Sequence, residues 1–154
     1  MPKLELDAIP QTNATGYPPE YAGAVERRYY RRLAPAAGLV DFGASHVVLE
    51  PGAWSAHRHW HEAEDELVIM LSGEAVLVDD AGEQVMRAGD IAAFPKNDGN
   101  GHVLQNRSER PCAYVAIGRP AASDCHYPDI DMHLSNGQGF HRKDGTPFDY
   151  EQTG

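Results

Sequence analysis

The stretch His57-Arg58-His59-Trp60-His61-Glu62-Ala63-Glu64-Asp65-Glu66 puts a histidine at every second position and then four acids in five residues. Side chains alternate along an extended strand, so His57, His59 and His61 are expected on one face. Two imidazoles at i and i+2 can reach one metal ion. A carboxylate from the next strand adds a negative ligand, and a histidine from a distant strand closes the site. Imidazole with carboxylate suits iron, manganese, nickel, cobalt or zinc, and spacing does not choose among them. An HxH alone is as often a solvated strand end, so the weight falls on what surrounds it.

What surrounds it is a series of short strands. Upstream, Phe42, Ala44, His46 and Val48 share a face of Asp41–Glu50, which Pro51-Gly52 ends, and Trp54–His61 follows. Downstream come Glu66–Leu71, Ala75–Asp79, Gln84–Arg87, Ile91–Phe94, His102–Asn106 and Cys112–Ile117. Turn signals separate them: Ser72-Gly73-Glu74, Asp80-Ala81-Gly82-Glu83, Ala88-Gly89-Asp90, Pro95 with the polar loop to Gly101, and Arg107–Pro111. Such a rhythm belongs to a sandwich or barrel, so the fold class is all-β. Asp131–Leu134 and Gly139–Arg142 read as added edge strands, with Asp144-Gly145 as a hairpin turn.

Composition agrees. Gly at 15 and Pro at 11 in 154 residues disfavour a helix bundle, and the length fits one domain. The longest apolar run, Leu67–Leu71, is far short of the ~18–20 residues of a membrane span. No basic segment followed by an apolar stretch opens the chain, so a cytoplasmic location is expected. A net charge of 13 − 23 = −10 argues against nucleic-acid binding. The basic cluster Arg27-Arg28-Tyr29-Tyr30-Arg31-Arg32 is read as a solvated face. Cys112 and Cys125 lack metal or redox spacing and are read as reduced bystanders.

Around the histidines the chain resembles the cupin superfamily, over about residues 40–118. The first cupin motif runs G, HxH, three or four residues, E, six residues, G. Here His59-Trp60-His61 is followed by four residues, Glu66, six residues and Gly73. The second motif follows as Gly89, five residues, Pro95, then Gly99, two residues, His102, three residues and Asn106. Counting fixes the histidine register: with His57 and His59 as the pair, Glu64 would stand eight residues short of Gly73. Two departures are small. Six residues separate Gly52 from His59, and three separate Pro95 from Gly99.

The resemblance implies a double-stranded β-helix (jelly-roll) barrel over 25–118 holding one divalent transition metal (Fe, Mn, Ni, Co or Zn) on His59, His61, Glu66 and His102. An N-terminal arm would span 1–24, and a C-terminal extension over 119–154 would pack on the barrel or on a dimer partner. The match is best with compact bacterial single-domain cupins. It is carried by Arg58–His61, Glu64–Glu66, Asp98–His102 and Tyr127-Pro128-Asp129-Ile130-Asp131. That group implies a sugar-phosphate isomerase or epimerase acting on a small molecule, and a homodimer. An Fe(II) dioxygenase and a non-catalytic ligand-binding module are the alternatives.

The remaining residues carry smaller expectations. His57 is the candidate catalytic acid/base, weighed against a rim histidine bonded to water. Glu62, Glu64 and Asp65 are read as mainly solvated. Trp60 is expected to face away from the ligands, and Asn106 to stabilise a turn. The loop Asp98–Gly101 is too short to read as a phosphate loop, although its amides could meet an anion. His126, His133 and His141 show no ligand spacing.

Overall fold

The computed structural model describes residues 2–119 and 123–151; positions 1, 120–122 and 152–154 of the expected arm and extension lie outside the described residues. Twelve strands dominate the described residues. The first nine are β1 (Arg28–Arg32), β2 (Gly43–Leu49), β3 (Trp60–His61), β4 (Glu66–Ser72), β5 (Glu74–Asp79), β6 (Gly82–Arg87), β7 (Ile91–Phe94), β8 (Val103–Gln105) and β9 (Cys112–Gly118). Three short ones follow: β10 (Cys125–His126), β11 (His133–Ser135) and β12 (Gly139–His141). They form a five-stranded sheet β1-β2-β9-β4-β7, a three-stranded sheet β6-β5-β8, and a four-stranded sheet β12-β11-β10-β3. Bridges from Trp54 to Gln105 and from His59 to His102 lay the irregular segment 54–59 beside β8, continuing the second sheet. Two antiparallel layers joined in this way make the jelly-roll.

Alternation fills the space between the layers. Val47 and Leu49 of β2, Val68 and Met70 of β4, Leu77 of β5 and Leu104 of β8 belong to one buried cluster. Leu49 is fully buried, so truncating it to Ala would cost about 2–5 kcal/mol. Gly73, between β4 and β5, has φ +69°, and a Cβ there would lie 2.6 Å from Pro111 O and 2.8 Å from Cys112 Cα. This glycine is required both by the left-handed turn and by the close approach of the strand β9 start.

A second cluster lies outside the sandwich. Tyr17 of the N-terminal segment packs with Ala56, Cys125, Tyr127, Met132 and Phe148, so segments from both sides of the barrel sequence meet at Ala56. The turn at Asp144-Gly145 is present: Arg142 N–H donates to Thr146 O and Gly145 N–H to Arg142 O. One strand expectation changes: Trp54–His61 is a strand only at Trp60–His61, with isolated bridges at Trp54 and His59 and bends at 55–58. Within the arginine cluster, Arg28–Arg32 forms the edge strand β1.

Candidate metal centre

His59 and His102 meet because their backbones exchange hydrogen bonds: His59 N–H donates to His102 O at 3.1 Å and His102 N–H to His59 O at 2.9 Å. A directly opposed antiparallel pair sends both side chains from the same face. Glu66 enters from the other layer, where it opens β4 opposite Gly118 and Phe94 and shares the inward face of Val68 and Met70. Its Oε1 lies 3.6 Å from His59 Nε2 and its Oε2 lies 3.5 Å from His102 Nε2. His61 Nε2 touches Glu66 Oε1 directly. His59, Glu66 and His102 thus bring one ligand atom each within 4.8 Å of one another. A second group within the same limit joins His59, His61 and Cys125.

The donor set fits a metal ion. Among the described residues neither ring nitrogen of His102 has a hydrogen-bond partner although both are buried, a costly state for polar atoms, and a cation would take the lone pair of Nε2, the nitrogen that faces Glu66. Phe94 holds the His102 ring by stacking on it at 3.7 Å and 5°. His59 Nδ1 donates to His57 O at 2.8 Å, which aims the Nε2 lone pair inward.

The electrostatics are those of a carboxylate among imidazoles. Burial works to raise Glu66, but the His102, His59 and His61 rings gathered around it outweigh burial and hold the carboxyl far below its usual range. Burial pulls His61 down, yet Cys125 and Glu66 override this and carry it up to about 10. For His102 burial prevails, so its value is lowered and the ring favours the neutral form a metal needs. Burial also pushes the Glu64 carboxyl up, with Oε2 3.7 Å from His61 Nδ1. The cluster opens onto a cavity of about 590 Å3 whose apolar walls include Val47, Val68, Phe94 and Leu104.

Several candidate residues have other work. The His57 ring is not in the cavity lining. It packs against Tyr17, Tyr21 and Trp54, and its Nε2 bonds Tyr21 O at 2.8 Å. The alternation reading fails there because 55–58 bends, so only the His57 carbonyl reaches the site. The three acids are not simply solvated: Glu62 pairs with His126, Glu64 is half-buried, and Asp65 accepts the Lys96 amide. Trp60 stacks on His126 at 4.1 Å. Asn106, 1% exposed, ties a turn by donating to Leu49 O and Arg110 O while accepting from Ser108. In the 98–101 loop Asn100 accepts from the Asp80 amide and donates to Asp79.

Two features escaped the sequence reading. Cys125 is opposite His61 in the β3–β10 pairing, a long-range contact with no local signature. The arginine cluster is only partly a solvated face: Arg27 and Arg32 are exposed, but Arg28, Tyr30 and Arg32 line the cavity. Their i, i+2, i+4 spacing was the available signal, but which face of β1 turns inward depends on its pairing with β2.

Comparison with known proteins bears on the whole chain. The Cupin domain family matches residues 45–118. A cupin-superfamily sugar phosphate isomerase from Silicibacter pomeroyi is 42% identical, covers 99% of this chain and 100% of its own, and superposes with a TM-score of 0.91. A candidate sugar phosphate isomerase from Acidithiobacillus ferrooxidans is 27% identical over 74% of each chain, with a TM-score of 0.68. The polyketide cyclase RemF from Streptomyces resistomycificus, 17% identical over 79% of this chain and 82% of its own, shares the fold with a TM-score of 0.63. No functionally curated protein matches. With two ordered motifs, a jelly-roll enclosing a His/Glu cluster and an end-to-end relative in that family, this chain belongs to the cupin superfamily.

Proposed function

We propose that the chain binds one divalent transition metal through His59, His61, Glu66 and His102 and isomerises or epimerises a small polyhydroxylated, phosphorylated molecule. The observation that carries this reading is a His/Glu cluster opening onto an apolar-walled cavity in a chain 42% identical, end to end, to a sugar phosphate isomerase. When bound, the metal supplies Lewis-acid polarisation of a carbonyl oxygen. The protein supplies the rest. Val68, Phe94 and Leu104 exclude water around the reacting atoms, which strengthens every polar contact there. Tyr114 also lines the cavity, and burial pushes its phenol up, so it stays protonated as a hydrogen-bond donor to a substrate oxygen. His57 acts as a positioning residue, fixing the His59 ring through its carbonyl. A cytoplasmic location and a small-molecule partner go with this reading; no described helix is long and apolar enough to cross a membrane.

The test is a panel of aldose and ketose phosphates incubated with metal-loaded protein in deuterated water under nitrogen and followed by NMR. The expected result is deuterium at the carbon beside the carbonyl, retained when iron is replaced by zinc or manganese. Oxygen consumption coupled to substrate, and lost on that replacement, would identify a dioxygenase instead. Ligand-induced stabilisation without turnover on any substrate would favour a binding module.

We further infer a homodimer. Ile91 on the free edge strand β7 is 63% exposed and Val40 ahead of β2 is 89% exposed, apolar surface that a partner would cover. Light scattering should give twice the chain mass of 16.9 kDa, and a monomer at micromolar concentration would contradict it.

A further inference from the structure

Strand β1 carries two guanidinium groups into the cavity that holds the His/Glu cluster. Alternation divides its residues: Arg31 turns outward, donating from Nε to Ile9 O at 3.0 Å, while Arg28, Tyr30 and Arg32 turn inward. Arg28 is half-buried and Nη1 donates to Ser55 O at 2.7 Å. Its Nε is buried with no hydrogen-bond partner. Among the described residues no carboxylate lies within salt-bridge distance of Arg28 or Arg32, although the chain has 23 acids to 13 bases. The guanidinium carbons of Arg28 and Arg32 lie 5.3 and 6.0 Å from the centre of the Tyr30 ring, which holds one inside the cavity and the other, exposed, at its mouth.

A half-buried cation with a buried, unpartnered N–H and no counterion carries a desolvation cost, and a planar fork of donors matches the oxygens of a carboxylate or phosphate. We propose that Arg28, assisted by Arg32 at the mouth, receives an oxyanion of the substrate, a phosphate monoester or a carboxylate, while the reacting end lies against His59, Glu66 and His102. This deepens the proposed function, on which it rests in taking the cavity as the substrate site. It makes anionic charge a requirement for entry. It also assigns specificity to a strand outside both histidine motifs. The aromatic ring between the two arginines orients them without neutralising either, so both charges remain available to the ligand.

The test uses the full metal-loaded chain and two probes, inorganic phosphate and gluconate, titrated calorimetrically into wild type, Arg28→Gln and Arg32→Gln. Wild type should bind one or both, and whichever binds tighter tells phosphate from carboxylate. Arg28→Gln should weaken that binding by about tenfold or more and Arg32→Gln by less, both with unchanged metal content. Unchanged affinity in Arg28→Gln, or no binding of either probe to wild type at millimolar concentration, would overturn the proposal. Should Arg28→Gln fail to fold, the Arg28 Nε–H resonance of wild type, assigned with Arg28→Lys, decides. It should move with the calorimetric saturation curve, and a stationary signal while the anion binds would overturn the proposal. Loss of turnover on every sugar with anion binding intact would instead contradict the isomerase reading alone.

Discussion

Two groups of histidines in this molecule have the same chemistry and opposite situations. His126, His133 and His141 lie along the small outer sheet, with rings 4.7 and 5.4 Å apart in sequence order. Each has a protein partner: His126 with Glu62, His133 with Asp124, His141 with Ser135. His59, His61 and His102 converge inside the barrel on one carboxylate, and His102 has no partner for either nitrogen. Proximity of imidazoles is therefore a poor guide to a metal site. What distinguishes one is lone pairs that are buried, convergent and unspent.

The largest effect that separates the groups is expected on removing an interior ligand. His102→Ala and Glu66→Ala should each lose most of the bound metal and lower the melting temperature of metal-loaded protein by roughly 10 °C, because a metal held only by the folded state adds its binding energy to folding. Metal analysis and calorimetry check both. Full metal content in either variant would erase the distinction.

A smaller effect is expected outside. His126→Ala removes the stack on Trp60 and the Glu62 hydrogen bond, and should cost about 1 kcal/mol in urea melts with metal content unchanged. Loss of metal in that variant would show that the outer group also serves the site.

The smallest effect concerns acid. Asp124 accepts the Asn136 amide and the His133 ring, which together hold its carboxyl below the ordinary range. An acid lowered on folding stabilises the native state above its unfolded value, and that contribution is lost as pH falls through the folded value. Thermal melts below about pH 4 should therefore fall more steeply for wild type than for Asp124→Asn. Parallel curves would mean that the outer network is not sensed in folding.

Legibility in the sequence followed the range of the interactions. His59 and His61 are neighbours in the chain, and His102 sits at a fixed offset from Gly99 and Asn106, so the cupin resemblance that these spacings carry implied their convergence with Glu66. The β4, β5 and β7 strands were equally plain, because each is a short apolar run bounded by turn residues. His57 was misplaced because period-two reasoning assumes extended backbone, and 55–58 bends. Cys125 beside His61 and Arg28 in the cavity were out of reach, since each depends on a strand pairing that no local pattern specifies.

The proposed ion lies where His59, His61, Glu66 and His102 converge. Anomalous X-ray scattering at the metal edge, from crystals of protein purified without added metal, tests it most directly. One peak per chain is expected, bounded by those four side chains and clear of the outer histidines. A peak bounded by His59, His61 and Cys125 without Glu66, a peak at His126 and His133, or no peak within the barrel would contradict it.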